Sequence, residues 1–177
     1  MPSFAQEQIM PSQDADYKIR PATAADVPTL LELIHGIAEY EKLSHAVANT
    51  EEAMLATGFG PDPYFRALLC EKGAGNHAVG FALYFFTYST FTGKPSLFLE
   101  DLFVRPDERG GGYGKALFME LVKIARAKGC GRMEWSVLNW NQPAIDFYLK
   151  LGAKAMDEWT VYRLDESALK SLAGERS

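Results

Sequence analysis

The chain has 177 residues, 47% of them hydrophobic and 23% charged, and 18 Lys and Arg against 23 Asp and Glu leave a net charge of −5. That length suits one domain with a core of its own, and the acidic balance argues against nucleic acid or an anionic membrane as partner. No apolar run approaches the roughly 18 residues of a membrane span.

Residues 1–16 carry no Lys or Arg and no apolar core. They read as a flexible leader, with 17–173 as a single folded domain. Tyr17 to Arg20 alternates as a short strand and stops at Pro21. Thr23 to Asp26 supplies capping residues, Pro28 suits a first helical turn, and Leu30, Leu31, Leu33, Ile34, Ile37 and Ala38 form one apolar face. A shorter helix is expected over Thr50–Thr57, ending at Gly58. Tyr64–Glu71 and Ala78–Tyr88 read as a hairpin around Gly73 to Asn76, and Ser96–Val104 as a third long strand. A helix over Lys115–Lys128 ends at Gly129. A strand over Arg132–Leu138, a helix over Gln142–Leu151, a last strand or pair over Ala155–Leu164 and a short helix over Glu166–Ala173 complete the order. This predicts a mixed α/β (α+β) domain whose central sheet is mostly antiparallel and flanked by helices. Cys70 and Cys130 make no metal spacing and no disulfide framework, and His35, His45 and His77 show no ligand spacing. No metal is expected, and a reducing cytoplasm is the simplest setting.

Arg109-Gly110-Gly111-Gly112-Tyr113-Gly114 joins an apolar strand to an amphipathic helix. A glycine-dense turn that opens a helix leaves backbone N–H groups unpaired at the positive end of its dipole, a ready site for phosphate. It is no P-loop, because Ala116 stands where a magnesium-binding hydroxyl belongs. It is no dinucleotide fingerprint either, because Gly110, Gly112 and Gly114 give G-x-G-x-G late in the chain. The pattern that fits is R-x-x-G-x-G, Arg109 with Gly112 and Gly114, which resembles the acetyl-CoA loop of the GNAT N-acetyltransferase superfamily. Ile19 to Asp26, Gly58-Phe59-Gly60 with Pro63-Tyr64-Phe65, Tyr84 to Tyr88, Leu99 to Val104 and Trp140-Asn141-Gln142 resemble its diamine (spermidine/spermine) acetyltransferase family. Within that family the chain is most similar to the thialysine Nε-acetyltransferase branch.

The resemblance implies a GNAT fold, acetyl-CoA as co-substrate, a small-molecule amine as acceptor and a homodimer. It places the CoA pyrophosphate on Gly110, Gly111, Gly112, Tyr113, Gly114 and Lys115 with Arg109, and the pantetheine arm on the strand edge at Leu102, Phe103 and Val104. Pantetheine carries two amides, so it can extend a sheet through backbone hydrogen bonds. Asn141 is the implied polar cofactor contact, although Asn there also suits a helix N-cap.

Acetyl transfer needs a neutral amine. With a pKa of about 10.4, roughly one alkyl amine in two thousand is neutral at pH 7, a deficit of about 4.6 kcal/mol. Glu100 is the candidate base, direct or through water. Strand alternation is expected to send its neighbour Asp101 to the opposite face. Tyr148 matches the family's general acid for the departing thiolate, also touching the cofactor. Its ordinary pKa of about 10 leaves full proton donation uphill by roughly 2 kcal/mol.

Tyr40 and Glu41 match the family's substrate pair, Glu41 holding a distal ammonium. Ser89 and Phe91 stand where the spermidine/spermine branch has an acid and a Trp, so one ammonium anchor is missing and the match leans to thialysine. The expected acceptor is the terminal amine of thialysine or a lysine- or ornithine-like compound, with polyamines second. Other readings are a protein or peptide acetyltransferase and a non-catalytic acetyl-CoA-binding module.

Overall fold

The computed structural model describes residues 16–175, so all but Asp16 of the expected leader lies outside them. Two compact units are distinguished, one ending at Ser136 and the other beginning at Val137.

The first unit is built on a five-stranded sheet in the order β1-β2-β3-β4-β5: Tyr17–Pro21, Arg66–Lys72, His77–Ser89, Lys94–Val104 and Arg132–Trp135. The first three pairings are antiparallel and β4–β5 is parallel. Among its described residues are the α-helices α1 over Val27–Tyr40, α2 over Glu51–Gly58 and α3 over Tyr113–Ala127. A strict two-residue alternation puts Leu69, Phe81, Leu83 and Phe103 on one face of the sheet. There they pack with Val27, Leu30, Leu33 and Met54 from α1 and α2. α1 lies close because Gly36 carries no side chain: a Cβ there would stand 2.9 Å from the Phe103 ring. α3 covers the opposite face and buries Leu117, Phe118, Leu121 and Ala125 at helical spacing.

At one edge Arg20 forks onto Asp26 with two contacts of 2.7 Å and onto Glu71 at 2.7 and 3.2 Å. A polar cleft of about 480 Å³ opens beside this group, lined among others by Asp26, Glu32, Glu71, His77 and Arg105. Asp26 and the buried Glu71 already have their cation in Arg20, which makes the cluster a fastening between β1, β2 and the start of α1.

In the second unit α4 runs over Gln142–Lys150 and α5 over Glu166–Leu172. Asp165 caps α5 by accepting the Ala168 N–H at 2.8 Å. Two strand expectations need correction. The Arg132–Leu138 run pairs only as far as Trp135. Ala155–Leu164 forms no strand among the described residues. Alternating Trp159, Val161 and the residues around them carry strand propensity, but a strand exists only through a ladder partner, and the described residues of the second unit hold none.

Candidate active site

β4 carries the site, and one irregularity in it decides what the site contains. Leu83 pairs with Asp101 but Tyr84 pairs with Leu99, so Glu100 is an extra residue in β4. Such a bulge breaks the two-residue alternation. Asp101 therefore shares a face with Leu83 and Phe103, the α1 face, and Glu100 is its immediate neighbour instead of its opposite. The alternation expected to separate the two carboxylates does not run unbroken through this bulge. Burial pushes the Asp101 carboxyl up to about 6, helped by the nearby charges of Glu100 and Glu41.

Glu41 reaches this place from the end of α1. There Lys42 adopts φ 62, its N–H donating to the Glu39 carbonyl at 3.0 Å while the Leu43 N–H donates to Ala38 at 2.8 Å. These two bonds close the helix in the turn that glycine usually makes. Burial raises the Glu41 carboxyl as well. Glu41 and Glu100 each lie near enough to Asp101 to raise its carboxyl, and Tyr40 is one residue before Glu41. Among the described residues no three His, Cys, Asp or Glu groups are placed to hold a metal ion.

Beyond the bulge β4 has an open edge. β5 pairs with it only from Ser96 to Leu99, so among the described residues Glu100–Val104 have no strand on that side. The Arg105 N–H donates to Val79 of β3 at 2.9 Å, which turns the Val104 carbonyl away from β3. By alternation the backbone groups of Leu102 and Val104 face the open edge, and those of Phe103 face β3. Of the three residues expected to line the donor arm, Leu102 and Val104 turn their backbone groups to the open edge. Phe103 contributes its ring to the core instead.

The edge leads into the glycine turn. Gly110 and Gly112 sit at φ 87 and 81, and a Cβ on either would meet no protein atom within 4 Å. Gly112 caps α3, and the first bond of the helix runs from the Ala116 N–H to the Gly112 carbonyl at 3.0 Å. The N–H groups of Tyr113, Gly114 and Lys115 precede that bond and have no acceptor within the helix. Gly111 lies over the Tyr113 ring, which a Cβ would strike at 2.6 Å. Open space, positive φ and outward N–H groups fit a pyrophosphate. Arg109, expected beside the pyrophosphate, donates from Nε to the Val104 carbonyl at 3.1 Å, and its guanidinium lies 4.3 Å over the Tyr40 ring.

Ser89 and Phe91 are not brought to the acids. They belong to the tip joining β3 to β4, where Ser89 is buried and its Oγ takes the Thr92 N–H at 3.4 Å, while Phe91 is 94% exposed. Ser89 pairs with Lys94, seven residues of strand from Asp101, or roughly 23 Å. Neither residue lines the acid group of its own chain, and the reason is the reach of an extended strand.

In the second unit Asn141 is the N-cap of α4, its Oδ1 accepting the Ala144 N–H at 3.4 Å. Tyr148 lies on the same helix with its ring 5.2 Å from that of Phe147, and burial pushes its hydroxyl up to about 12. That is the opposite of what a strong acid needs. Full proton transfer to a thiolate of pKa about 8.5 would be uphill by about 5 kcal/mol at this starting point.

A parallel strand that leaves its neighbour part-way, with a glycine turn and helix at the end of the opened edge, is the framework of an N-acetyltransferase. Over residues 30–153 the chain matches the Acetyltransferase (GNAT) family model, and it belongs to that family. Family members use acetyl-CoA as co-substrate. The chain is 39% identical over 170 residues to the thialysine N-epsilon-acetyltransferase of Sus scrofa, covering 91% of this chain and 99% of that one. It is 36% identical to the human spermidine/spermine N(1)-acetyltransferase-like protein 1 over 167 residues, 90% of this chain and 24% of that longer one. An integron cassette protein from the V. cholerae mobile metagenome shares the fold, with a TM-score of 0.74, 24% identity and coverage of 90% and 98%.

Proposed function

We propose that this enzyme transfers the acetyl group of acetyl-CoA to the terminal primary amine of a small diamino acid, thialysine first and lysine- or ornithine-like compounds next. The observation that carries the reading is Asp101, which the bulge at Glu100 leaves on the face of the sheet where α1 ends, with the charges of Glu100 and Glu41 close enough to raise its carboxyl. Such a group can take one ammonium by charge and relieve another of its proton. Likeness to the pig thialysine enzyme over nearly the whole chain supports the choice of acceptor.

Gly110 to Lys115 would hold the pyrophosphate, and Leu102 and Val104 the pantetheine amides. Acetyl-CoA, when bound, supplies the thioester carbonyl. The Glu100–Asp101 pair accepts the proton that the amine loses as its nitrogen forms the C–N bond. Tyr148 donates a hydrogen bond to the sulfur as the C–S bond breaks, which suits its raised pKa better than complete proton transfer does. Tyr40 and Glu41 position the acceptor, and Ser89 and Phe91 have no part in the acid group. Asn141 holds the start of α4. The family match crosses the division at Ser136, which supports reading residues 17–173 as one catalytic domain. A homodimer and a cytoplasmic setting accompany this reading. Among the described residues no helix is long and apolar enough to cross a membrane.

Polyamines form the second reading, favoured by the three acids, which would also suit a substrate with several ammonium groups. A steady-state panel of thialysine, lysine, ornithine, putrescine and spermidine with acetyl-CoA tests both. A preference of tenfold or more in kcat/KM for an amino acid is expected. Spermidine winning would overturn the choice of acceptor, and failure of every amine would place the acceptor in another class, such as a peptide.

A further inference from the structure

Arg109 opens the glycine turn, yet its side chain is committed elsewhere. Its Nε donates to the Val104 carbonyl at 3.1 Å, and that carbonyl faces the open edge of β4. The guanidinium carbon lies 4.3 Å above the Tyr40 ring and 5.8 Å from the Phe103 ring. One planar cation thus touches the proposed donor edge and the last residue of α1, next to Glu41. Among the described residues no carboxylate comes within ion-pair distance of it. A guanidinium held through Nε and stacked on a ring is fixed in plane and position, which a lysine ammonium cannot reproduce.

The geometry points to Arg109 as a positioning residue that couples the acetyl-donor site to the acceptor side, by tying the β4 edge at Val104 to Tyr40 at the end of α1. The inference rests on the donor and acceptor sites proposed above. Coupling of this kind is reciprocal: whatever the donor does to the set of Tyr40, Tyr40 does to the affinity for the donor. It therefore has a readout that needs no acceptor. Tyr40 lies outside the glycine turn, so a residue serving only acceptor contacts would leave CoA binding alone.

Calorimetric titration of CoA into the full chain and its variants is the test. Tyr40→Leu removes the ring and is expected to weaken CoA by roughly two- to fivefold, the range of an exposed cation–π contact. Tyr40→Phe keeps the ring and restores wild-type affinity. In an Arg109→Met background Tyr40→Leu has no further effect. Thermal unfolding of each variant establishes that it is folded, and Arg109→Lys serves as the second background, keeping the charge while losing the plane. With Lys at 109 the Tyr40→Leu effect shrinks towards none. Tyr40→Leu binding CoA as tightly as wild type, or effects at 40 and 109 that simply multiply, would overturn the coupling. A wild-type chain that failed to bind CoA would overturn the donor site and the coupling with it.

Discussion

At the residue scale Asp101 shows how place sets chemistry. A carboxyl on a surface strand ionises near pH 3.9, whereas this one, desolvated and facing Glu100 and Glu41, is pushed up to about 6. A base is most useful when its pKa lies near the working pH. The expected result is a kcat/KM that falls below about pH 6 as Asp101 takes up its proton. Asp101→Asn should remove that acidic limb and lower kcat/KM at pH 7.5 by on the order of 10²-fold; an unchanged limb would assign it to another group. Tyr148 is tuned the other way. Its hydroxyl, pushed up to about 12, stays neutral through the accessible range, which suits the proposed role of hydrogen-bond donor. Tyr148→Phe should depress kcat by on the order of 10²-fold while changing the Kd for CoA little, measured by turnover and titration side by side. Motif position alone pointed to Glu100, Glu41 and Tyr148 as candidates. The bulge that leaves Asp101 on the α1 face was not legible, because it depends on a cross-strand register that no local pattern records.

At the scale of elements, the helices and the antiparallel strands could be read because their signals are local. Thr50 accepts the Ala53 N–H at 3.1 Å and starts α2 where a capping residue was expected, and Gly129 at φ 70 ends α3. The run from Ala155 to Leu164 reads as strand for equally local reasons, yet pairing is a property of two segments, and propensity in one of them cannot supply it. The glycine turn is the element whose sequence and geometry agree most closely. Gly112 is the N-cap of α3 and holds φ 81. Gly112→Val would force a branched side chain into the left-handed region at a cost of about 1–2 kcal/mol or more, and would fill the space in front of the helix N–H groups. Weakening of CoA by more than tenfold is expected, with a modest fall in Tm and with kcat at saturating donor far less affected. Equal losses in kcat and in donor affinity would separate this turn from phosphate binding.

At the scale of the whole molecule, opposite shifts in different acids set how stability responds to pH. Burial would raise the Glu71 carboxyl, but hydrogen bonds from Arg20 and Lys18 outweigh it and hold it below the usual range. Arg20 holds Asp26 far below that range, with burial opposing. These two favour the folded state above pH 4, and that contribution is lost as the pH falls through their folded values. Asp101 works in the reverse direction, because its folded pKa lies above its unfolded one. Its ionisation costs at most about 3 kcal/mol above pH 6, and the cost disappears as the pH drops from 6 towards 4. The free enzyme should therefore hold or gain Tm between pH 7 and pH 5 and lose it steeply below pH 4. Asp101→Asn should raise Tm at pH 7 and flatten the upper part of the profile, leaving the acid collapse, which belongs to the Arg20 cluster, in place. A bound diamine should oppose the upper trend, since an ammonium beside Asp101 favours its ionised form. A Tm that fell steadily from pH 7 to pH 5 in the wild-type enzyme would mean that Asp101 is already solvated and ionised, and the proposed role of proton acceptor would pass to Glu100 alone.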